Sequence, residues 1–184
     1  MSPRSRESQG PSVLAAALFV TSIAAPDPLH AGPRRFEPPK PLRSYEAAAV
    51  ERALEGAARR LESPECQRLL TDFVDAKGRP LTERLATWGI SAAEYVRQLP
   101  FRDGSTVPLC GKKSVRLAAV QGTLPVFVCP GGPGQLNSPF SLVQAENPSL
   151  AEAMVIHEML HTLGLGENPP STFEITERVR ERCR

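Results

Sequence analysis

The chain contains few histidines, few methionines and few aromatic residues, and it has little net charge. Histidine and methionine each occur three times, aromatic residues make up 5% of the 184 residues, and the formal net charge is +2. A nucleic-acid-binding domain usually shows a marked basic excess, which is absent from this chain. We therefore predict no nucleic-acid partner.

The four cysteines include no C-x-x-C pair, which disfavours a zinc ribbon or a thioredoxin-type motif. They are Cys66, Cys110, Cys129 and Cys183. An even number of cysteines in an exported chain favours two disulfides, although four cysteines allow three pairings. We predict Cys110–Cys129, flanking a hairpin, and Cys66–Cys183, tying the last helix to an early one.

The N-terminus has the pattern of a signal peptide. Arg4 and Arg6 precede the uncharged stretch 11–25, which is too short to span a bilayer comfortably. We predict a signal peptide over residues 1–25, a secreted or periplasmic protein, and no stable membrane insertion after signal removal. An uncleaved anchor or a buried helix is the alternative.

Residues 26–43 contain six prolines, a composition that cannot propagate a helix or a central strand. We interpret this segment as a proline-rich tether or a removable pro-segment. Residues 44–184 then form a single domain.

This domain is predicted to be α+β and mostly helical. Serine is placed to start five helices, at Ser44, Ser63, Ser91, Ser149 and Ser171. The predicted helices cover residues 44–61, 63–76, 81–87, 91–99, 149–163 and 171–182. Two β-rich runs, 114–120 and 123–129, predict a hairpin, and 137–147 is expected to be irregular.

The stretch VIHEMLHTLGLGEN, residues 155–168, contains His157, Glu158 and His161 on a predicted helix. Histidines four residues apart project from one helix face, which suits two imidazoles that share a metal. Glu158 is rotated by about 100° from His157, so it can flank the metal and serve as a general base. Satisfied core histidines are the alternative, but they explain a pair with a glutamate poorly.

HEMLHTLG resembles the active-site helix of the zincin metallopeptidases. The longer stretch HEMLHTLGLGE is similar to the metzincin extension, with Gly164 at the glycine position and Glu167 at the third-ligand position, where that family usually has His or Asp. No methionine follows the motif, so the Met-turn is absent. The resemblance implies a small zincin-like domain with a β-hairpin beside the active-site helix, one zinc ion, and a peptide or protein substrate.

The third metal ligand is expected to be a carboxylate, unless one of the cysteines is left unpaired. Catalytic zinc usually takes three protein ligands and one water. His30, the remaining histidine, lies in the proline-rich segment. Glu167 is the first choice because the two glycines before it allow the chain to turn back. Glu174 and Glu177, on the following helix as in the gluzincins, are the alternatives.

These observations predict a secreted zinc peptidase with His157, His161 and Glu167 as ligands and Glu158 as the base. A non-catalytic zincin-like domain with a structural metal and a partner-binding cleft is one alternative, and a zinc amidase acting on cell-wall peptides is another. The strand near 126–128 is expected at the sheet edge, where it could pair with an extended peptide. Tyr45 and Tyr95 are conceivable oxyanion donors, and the oligomeric state stays open.

Overall fold

The fold is described from a computed structural model for residues 40–111, 115–131 and 138–184. The predicted signal peptide, His30 and most of the proline-rich segment lie outside these ranges. The described residues fall within one compact unit, Pro38–Arg184.

Eight α-helices and a small mixed sheet form the described part of the chain, which confirms the mostly helical α+β prediction. The helices are α1 (Ser44–Leu61), α2 (Pro64–Gln67), α3 (Leu69–Asp72), α4 (Leu81–Trp88), α5 (Ala92–Arg97), α6 (Phe140–Glu146), α7 (Pro148–Thr162) and α8 (Thr172–Arg182). The strands are β1 (Phe101–Asp103), β2 (Leu117–Ala118) and β3 (Val126–Val128). A short 3-10 helix, Pro108–Gly111, lies between β1 and β2.

The predicted hairpin is present as the antiparallel pair β2–β3, but the sheet order is β1-β3-β2. Strand β3 is therefore central, and the prediction that 126–128 forms an edge open to a peptide was wrong. The reason is non-local. Strand β1, only three residues long, carries too little alternation to be recognised, yet it pairs in parallel with β3 and covers it. Strand β2 lies on the other side of β3 and forms the opposite edge of the three-stranded sheet.

Three predicted serine caps are confirmed, because Ser63, Ser91 and Ser171 each accept a backbone N–H of the first helical turn. The other two are wrong. Helix α1 follows Arg43 and has no side-chain cap, while α7 is capped by Asn147, whose side chain accepts the N–H of Leu150.

Asn147 prevails over Ser149 because Pro148 follows it. Proline is favoured at the first helical position, since its fixed φ suits the helix and its missing N–H needs no partner there. The helix thus begins one residue earlier than predicted, and the Ser149 hydroxyl instead accepts a hydrogen bond from Arg60 at 2.9 Å.

Two further predictions, for 137–147 and for 63–76, are corrected by the structure. The segment 137–147, expected to be irregular, contains α6, whose Phe140 is fully buried and whose Val143 also joins the core. The helix predicted over 63–76 is divided into α2 and α3 and ends at Asp72, because Phe73 adopts an extended conformation. Burial in the core overrides weak local preference in the first case.

Helix α7 lies in the interior, against α1, α6 and α8. Its residues Val155, Ile156, Met159 and Leu160 are all fully buried, which explains why the motif is surrounded by apolar residues. Gly56 of α1 permits this close approach, because a side chain there would collide with the carboxylate of Glu152 on α7.

Both predicted disulfides are present. Cys66–Cys183 joins α2 to the end of α8, and Cys110–Cys129 joins the 3-10 helix to the end of β3. Two disulfides indicate an oxidising environment of the extracellular type. No helix within the described ranges has the length and apolar character needed to cross a membrane.

Candidate metal centre

Three predicted ligands converge at the end of α7. The Nε2 atoms of His157 and His161 are 3.0 Å apart. The Oε1 atom of Glu167 lies 3.4 Å from Nε2 of His161 and 3.8 Å from Nε2 of His157. The two imidazoles are buried and the Glu167 carboxylate is exposed, and together these three side chains could hold a metal ion.

The end of α7 fixes the orientation of His161. Its Nδ1 atom lies 2.9 Å from the carbonyl oxygen of Leu165. Since a carbonyl can only accept, Nδ1 carries the hydrogen, and a neutral ring then presents a lone pair at Nε2. The same nitrogen faces His157 and Glu167, so the backbone after the helix selects the tautomer that a metal requires.

Helix α8 supports the other two candidate ligands through two threonines. The Oγ1 atom of Thr176 lies 3.1 Å from Nδ1 of His157, and the hydroxyl of Thr172 donates to Oε1 of Glu167 at 2.6 Å. Residues four apart on a helix lie on one face, which is why both hydroxyls reach the same centre. These threonines were missed from the sequence, although their spacing matches that of the two histidines.

Glu167 reaches the imidazoles through the turn that ends α7. The N–H of Gly164 bonds to the carbonyl of His161, and the N–H of Leu165 bonds to that of Leu160. This is a Schellman motif, which needs a left-handed residue at its glycine position, and Gly164 has φ of +106°. The chain therefore folds back over the histidines within three residues.

The two alternative ligands are occupied elsewhere. The Glu174 carboxylate accepts the N–H and hydroxyl of Ser171, completing the predicted capping box. The Glu177 carboxylate forms an ion pair with Arg180. Neither belongs to the His157, His161 and Glu167 group.

The electrostatic state of this group suits a cation. The pKa of His157 is lowered to about 4, mainly by burial and in part by His161, while Glu167 acts in the opposite direction. Burial alone would raise the pKa of Glu167, but the Thr172 hydroxyl and the two imidazoles together lower it. At neutral pH the structure thus presents a neutral His157 and an ionised Glu167, the forms that bind metals.

Glu158 lines the same cleft but is not part of the ligand group. The pKa of Glu158 is raised to about 8, mainly by burial and in part by the charge of Glu167, while the backbone N–H of Ala119 acts in the opposite direction by stabilising the carboxylate. Ala119 directly follows β2. The end of this strand therefore lies close to the Glu158 carboxylate, which neighbours the candidate ligand His157 in the sequence.

A turn docked on the end of α7 holds this sheet edge in place. The N–H of Gly122 donates to the carbonyl of His161 at 2.8 Å, and the Gln121 amide donates to the carbonyl of Gly164 at 2.8 Å. Arg84 also donates to the carbonyl of Gly122. The turn predicted at Gln121–Gly122 is therefore part of the site's framework as well as the connection between two strands.

The candidate ligands open onto a cleft of about 800 Å³. Its walls are mostly apolar and come from β2, the start of α7 and the 3-10 helix, including Leu117, Leu150, Met154 and Leu109. Neither tyrosine lines it. Tyr95 is buried and its hydroxyl donates to Thr162, and Tyr45 is exposed and accepts a hydrogen bond from Arg43.

Comparisons of this chain with protein-family models, with curated proteins and with solved structures find no match.

Proposed function

We propose that this chain is a secreted zinc-dependent peptidase that hydrolyses peptide bonds, with Glu158 as the general base. One observation carries the proposal: His157, His161 and Glu167 converge on one point, and the carboxylate of Glu158 lies in the cleft onto which they open. A ligand group and a separate carboxylate in one cleft are what metal-assisted hydrolysis requires.

Zinc fits the donor set of two imidazole nitrogens and one carboxylate oxygen. Ligand atoms 2.0–2.1 Å from a tetrahedral ion lie about 3.3 Å from one another. The three separations of 3.0, 3.4 and 3.8 Å bracket that value. When bound, zinc acts as a Lewis acid toward a carbonyl oxygen and lowers the pKa of a bound water.

Glu158 supplies the proton transfers in this proposal. The raised pKa leaves Glu158 mostly protonated at neutral pH without a metal, and a cation at the ligands would favour its ionised form. That carboxylate would accept a proton from the attacking water and return it to the leaving amine. The backbone N–H of Ala119 stabilises this carboxylate in its ionised form. Thr176 and the Leu165 carbonyl orient the two imidazoles, which leaves both Nε2 atoms directed at the metal position.

Three protein ligands beside an open cleft favour catalysis over a purely structural metal. Structural zinc sites are usually closed by four protein ligands, whereas catalytic sites keep one position free. Within the described ranges, the ligand group contains only three side chains. A non-catalytic domain and an amidase acting on cell-wall peptides remain the alternative outcomes of the experiment below.

Export is the cellular part of the proposal. It is supported by the signal-peptide pattern of residues 1–25 and by the two disulfides, which persist in oxidising compartments.

The decisive experiment compares Glu158→Gln with the unchanged protein and with Glu177→Gln, a control that removes an exposed carboxylate from α8. Zinc content is measured by elemental analysis, and hydrolysis is measured on a mixed peptide library and on cell-wall peptides. We expect Glu158→Gln to keep its zinc and to lose activity by roughly 10²–10⁴-fold, while the control keeps both.

Undiminished hydrolysis by zinc-loaded Glu158→Gln would refute the role of Glu158. Zinc binding without hydrolysis of any substrate by the unchanged protein would favour the non-catalytic alternative. Cleavage confined to cell-wall peptides would identify the amidase.

A further inference from the structure

One cation stands out in the cleft beside the candidate metal centre. Arg116 directly precedes β2 and lines the cleft, and its side chain is partly buried. Its backbone is fixed, because its carbonyl accepts the N–H of Cys129 at 2.8 Å and extends the β2–β3 pairing. Its Nε atom donates to the carbonyl of Ser138 at 3.2 Å.

No carboxylate of the described residues pairs with Arg116. The two carboxylates in the cleft belong to the metal centre: Glu167 faces the imidazoles, and Glu158 receives the N–H of Ala119. Of the segments outside the described ranges, 112–114 and 132–137 contain no aspartate or glutamate, and 1–39 contains Glu7, Asp27 and Glu37. Arg60, by contrast, pairs with Glu152, whereas Arg52 and Arg84 bond, like Arg116, to neutral oxygens.

The apolar surroundings of Arg116 strengthen the attraction between its guanidinium and an anion. The cleft walls beside it are apolar and include Val115, Leu117 and Met154. A cation held between apolar walls attracts an anion more strongly than one in open water, because the local dielectric is lower. A guanidinium also presents a planar fork of donors that matches a carboxylate.

The position of Arg116 relative to the base sets a distance. Arg116 and Ala119, whose backbone stabilises the Glu158 carboxylate, flank the two residues of β2. An extended chain advances about 3.3 Å per residue, so the Cα atoms of Arg116 and Ala119 are at most about 10 Å apart. Consider a peptide that lies extended along this edge with one of its bonds beside Glu158. The peptide residue about three positions from that bond would then lie beside Arg116.

We propose that Arg116 is a specificity-determining residue that binds a carboxylate of an otherwise apolar peptide, about three residues from the bond beside Glu158. The carboxylate is either an acidic side chain or the C-terminus of the peptide. This inference rests on the proposed function, because the bond beside Glu158 is the one that the peptidase would cleave. Binding of the peptide carboxylate by Arg116 does not itself require catalysis.

The test measures binding by calorimetry with zinc-loaded Glu158→Gln protein, so that no peptide is consumed. The probes are leucine-rich octapeptides with blocked termini that carry Glu, Gln or Lys three residues from the centre, on either side. A further Gln peptide has a free C-terminal carboxylate. Each is titrated into the parent, into Arg116→Gln and into Arg102→Gln, a control in which an exposed arginine of β1 is changed.

We expect the parent to bind a carboxylate-bearing peptide about tenfold more tightly than its Gln counterpart, the size of one charge-assisted hydrogen-bonded pair. Arg116→Gln should reduce that ratio to about one, and Arg102→Gln should preserve it. Arg116→Lys, which keeps the charge, should retain part of the preference. A preference for Glu identifies a side-chain carboxylate, and a preference confined to the free terminus identifies the C-terminus.

Equal binding of all peptides, binding of none, or a preference that survives Arg116→Gln in folded protein would overturn the inference. Hydrolysis of the same peptides by the unchanged protein separates the two proposals. A carboxylate preference without cleavage refutes the peptidase and leaves the recognition by Arg116 standing. Cleavage without the preference refutes only the role of Arg116.

Discussion

Each imidazole of the candidate metal centre is held through its far nitrogen, which leaves two Nε2 atoms 3.0 Å apart. In the tautomer that carries the hydrogen on Nδ1, each ring presents the lone pair of Nε2 to a cation at this point. Glu167 adds a negative charge on the same side. Burial also lowers the pKa of His157, so that this imidazole is neutral near neutral pH and available to a metal ion.

At the residue scale, Glu167→Ala should weaken zinc binding by about a hundredfold or more, since even the loss of a group that only orients a ligand costs 10–100-fold. Glu174→Ala is the matched control, because that carboxylate is engaged in the cap of α8. Competition with a chromophoric zinc chelator measures both affinities. If the control loses zinc and Glu167→Ala does not, the third ligand has been assigned incorrectly.

At the level of elements, α7 is defined at both ends by backbone chemistry. Asn147 and Pro148 begin it, and the Schellman motif at Gly164 ends it. The N-terminal end is tied to α1, where Arg60 pairs with Glu152 at 2.5 Å. The C-terminal end sets the position of Glu167 three residues later. The helical repeat thus places His157 and His161 on one face, and the turn that ends the helix places the Glu167 carboxylate beside them.

Gly164→Ala should destabilise the fold, because the left-handed conformation costs a residue with a β-carbon about 1–2 kcal/mol. The added carbon would also lie 3.2 Å from the Asp75 side chain and 3.3 Å from Arg84. Gly111→Ala is the control, since a β-carbon added there would have no neighbour within 4 Å among the described residues and its φ is not positive. Urea denaturation measures stability, and chelator competition measures the expected loss of zinc affinity as Glu167 shifts. Equal stability of the two variants would contradict this account.

Across the whole molecule, the site depends on the packing of α8 against α7. Helix α8 contributes Thr172 and Thr176, and its end is joined to α2 by Cys66–Cys183. Arg60 of α1 also donates to the backbone carbonyl of Cys183. Helices distant in sequence therefore converge on the support of two metal ligands.

The two disulfides should differ in their contribution to stability. Cys66–Cys183 spans 117 residues and Cys110–Cys129 spans 19. Loop-closure entropy predicts losses of about 5 and about 3 kcal/mol in the free energy of unfolding when each pair is replaced by alanine. Urea denaturation of the two double variants provides the comparison. Only the first variant should also bind zinc more weakly, because it loosens α8. The opposite order of stabilities would contradict the entropic explanation.

The local parts of the fold and site were predictable from sequence. Histidines four residues apart on a helix must share a face, and Ser63, Ser91 and Ser171 cap helices because a hydroxyl near the first turn satisfies free N–H groups. The turn after α7 followed from its glycines. Each of these depends on a few neighbouring residues, so periodicity and backbone stereochemistry are sufficient.

The sequence alone therefore determined the helix that carries His157 and His161 and the glycine turn that follows it. Only the tertiary structure decided that β3 is central, that Thr172 and Thr176 support the ligands, and that Arg116 shares the cleft with Glu158. The physical reason is the sequence distance over which each interaction acts. Backbone preference acts over a few residues, whereas strand order and the surroundings of a buried side chain depend on segments far apart in sequence that meet only when the core is packed.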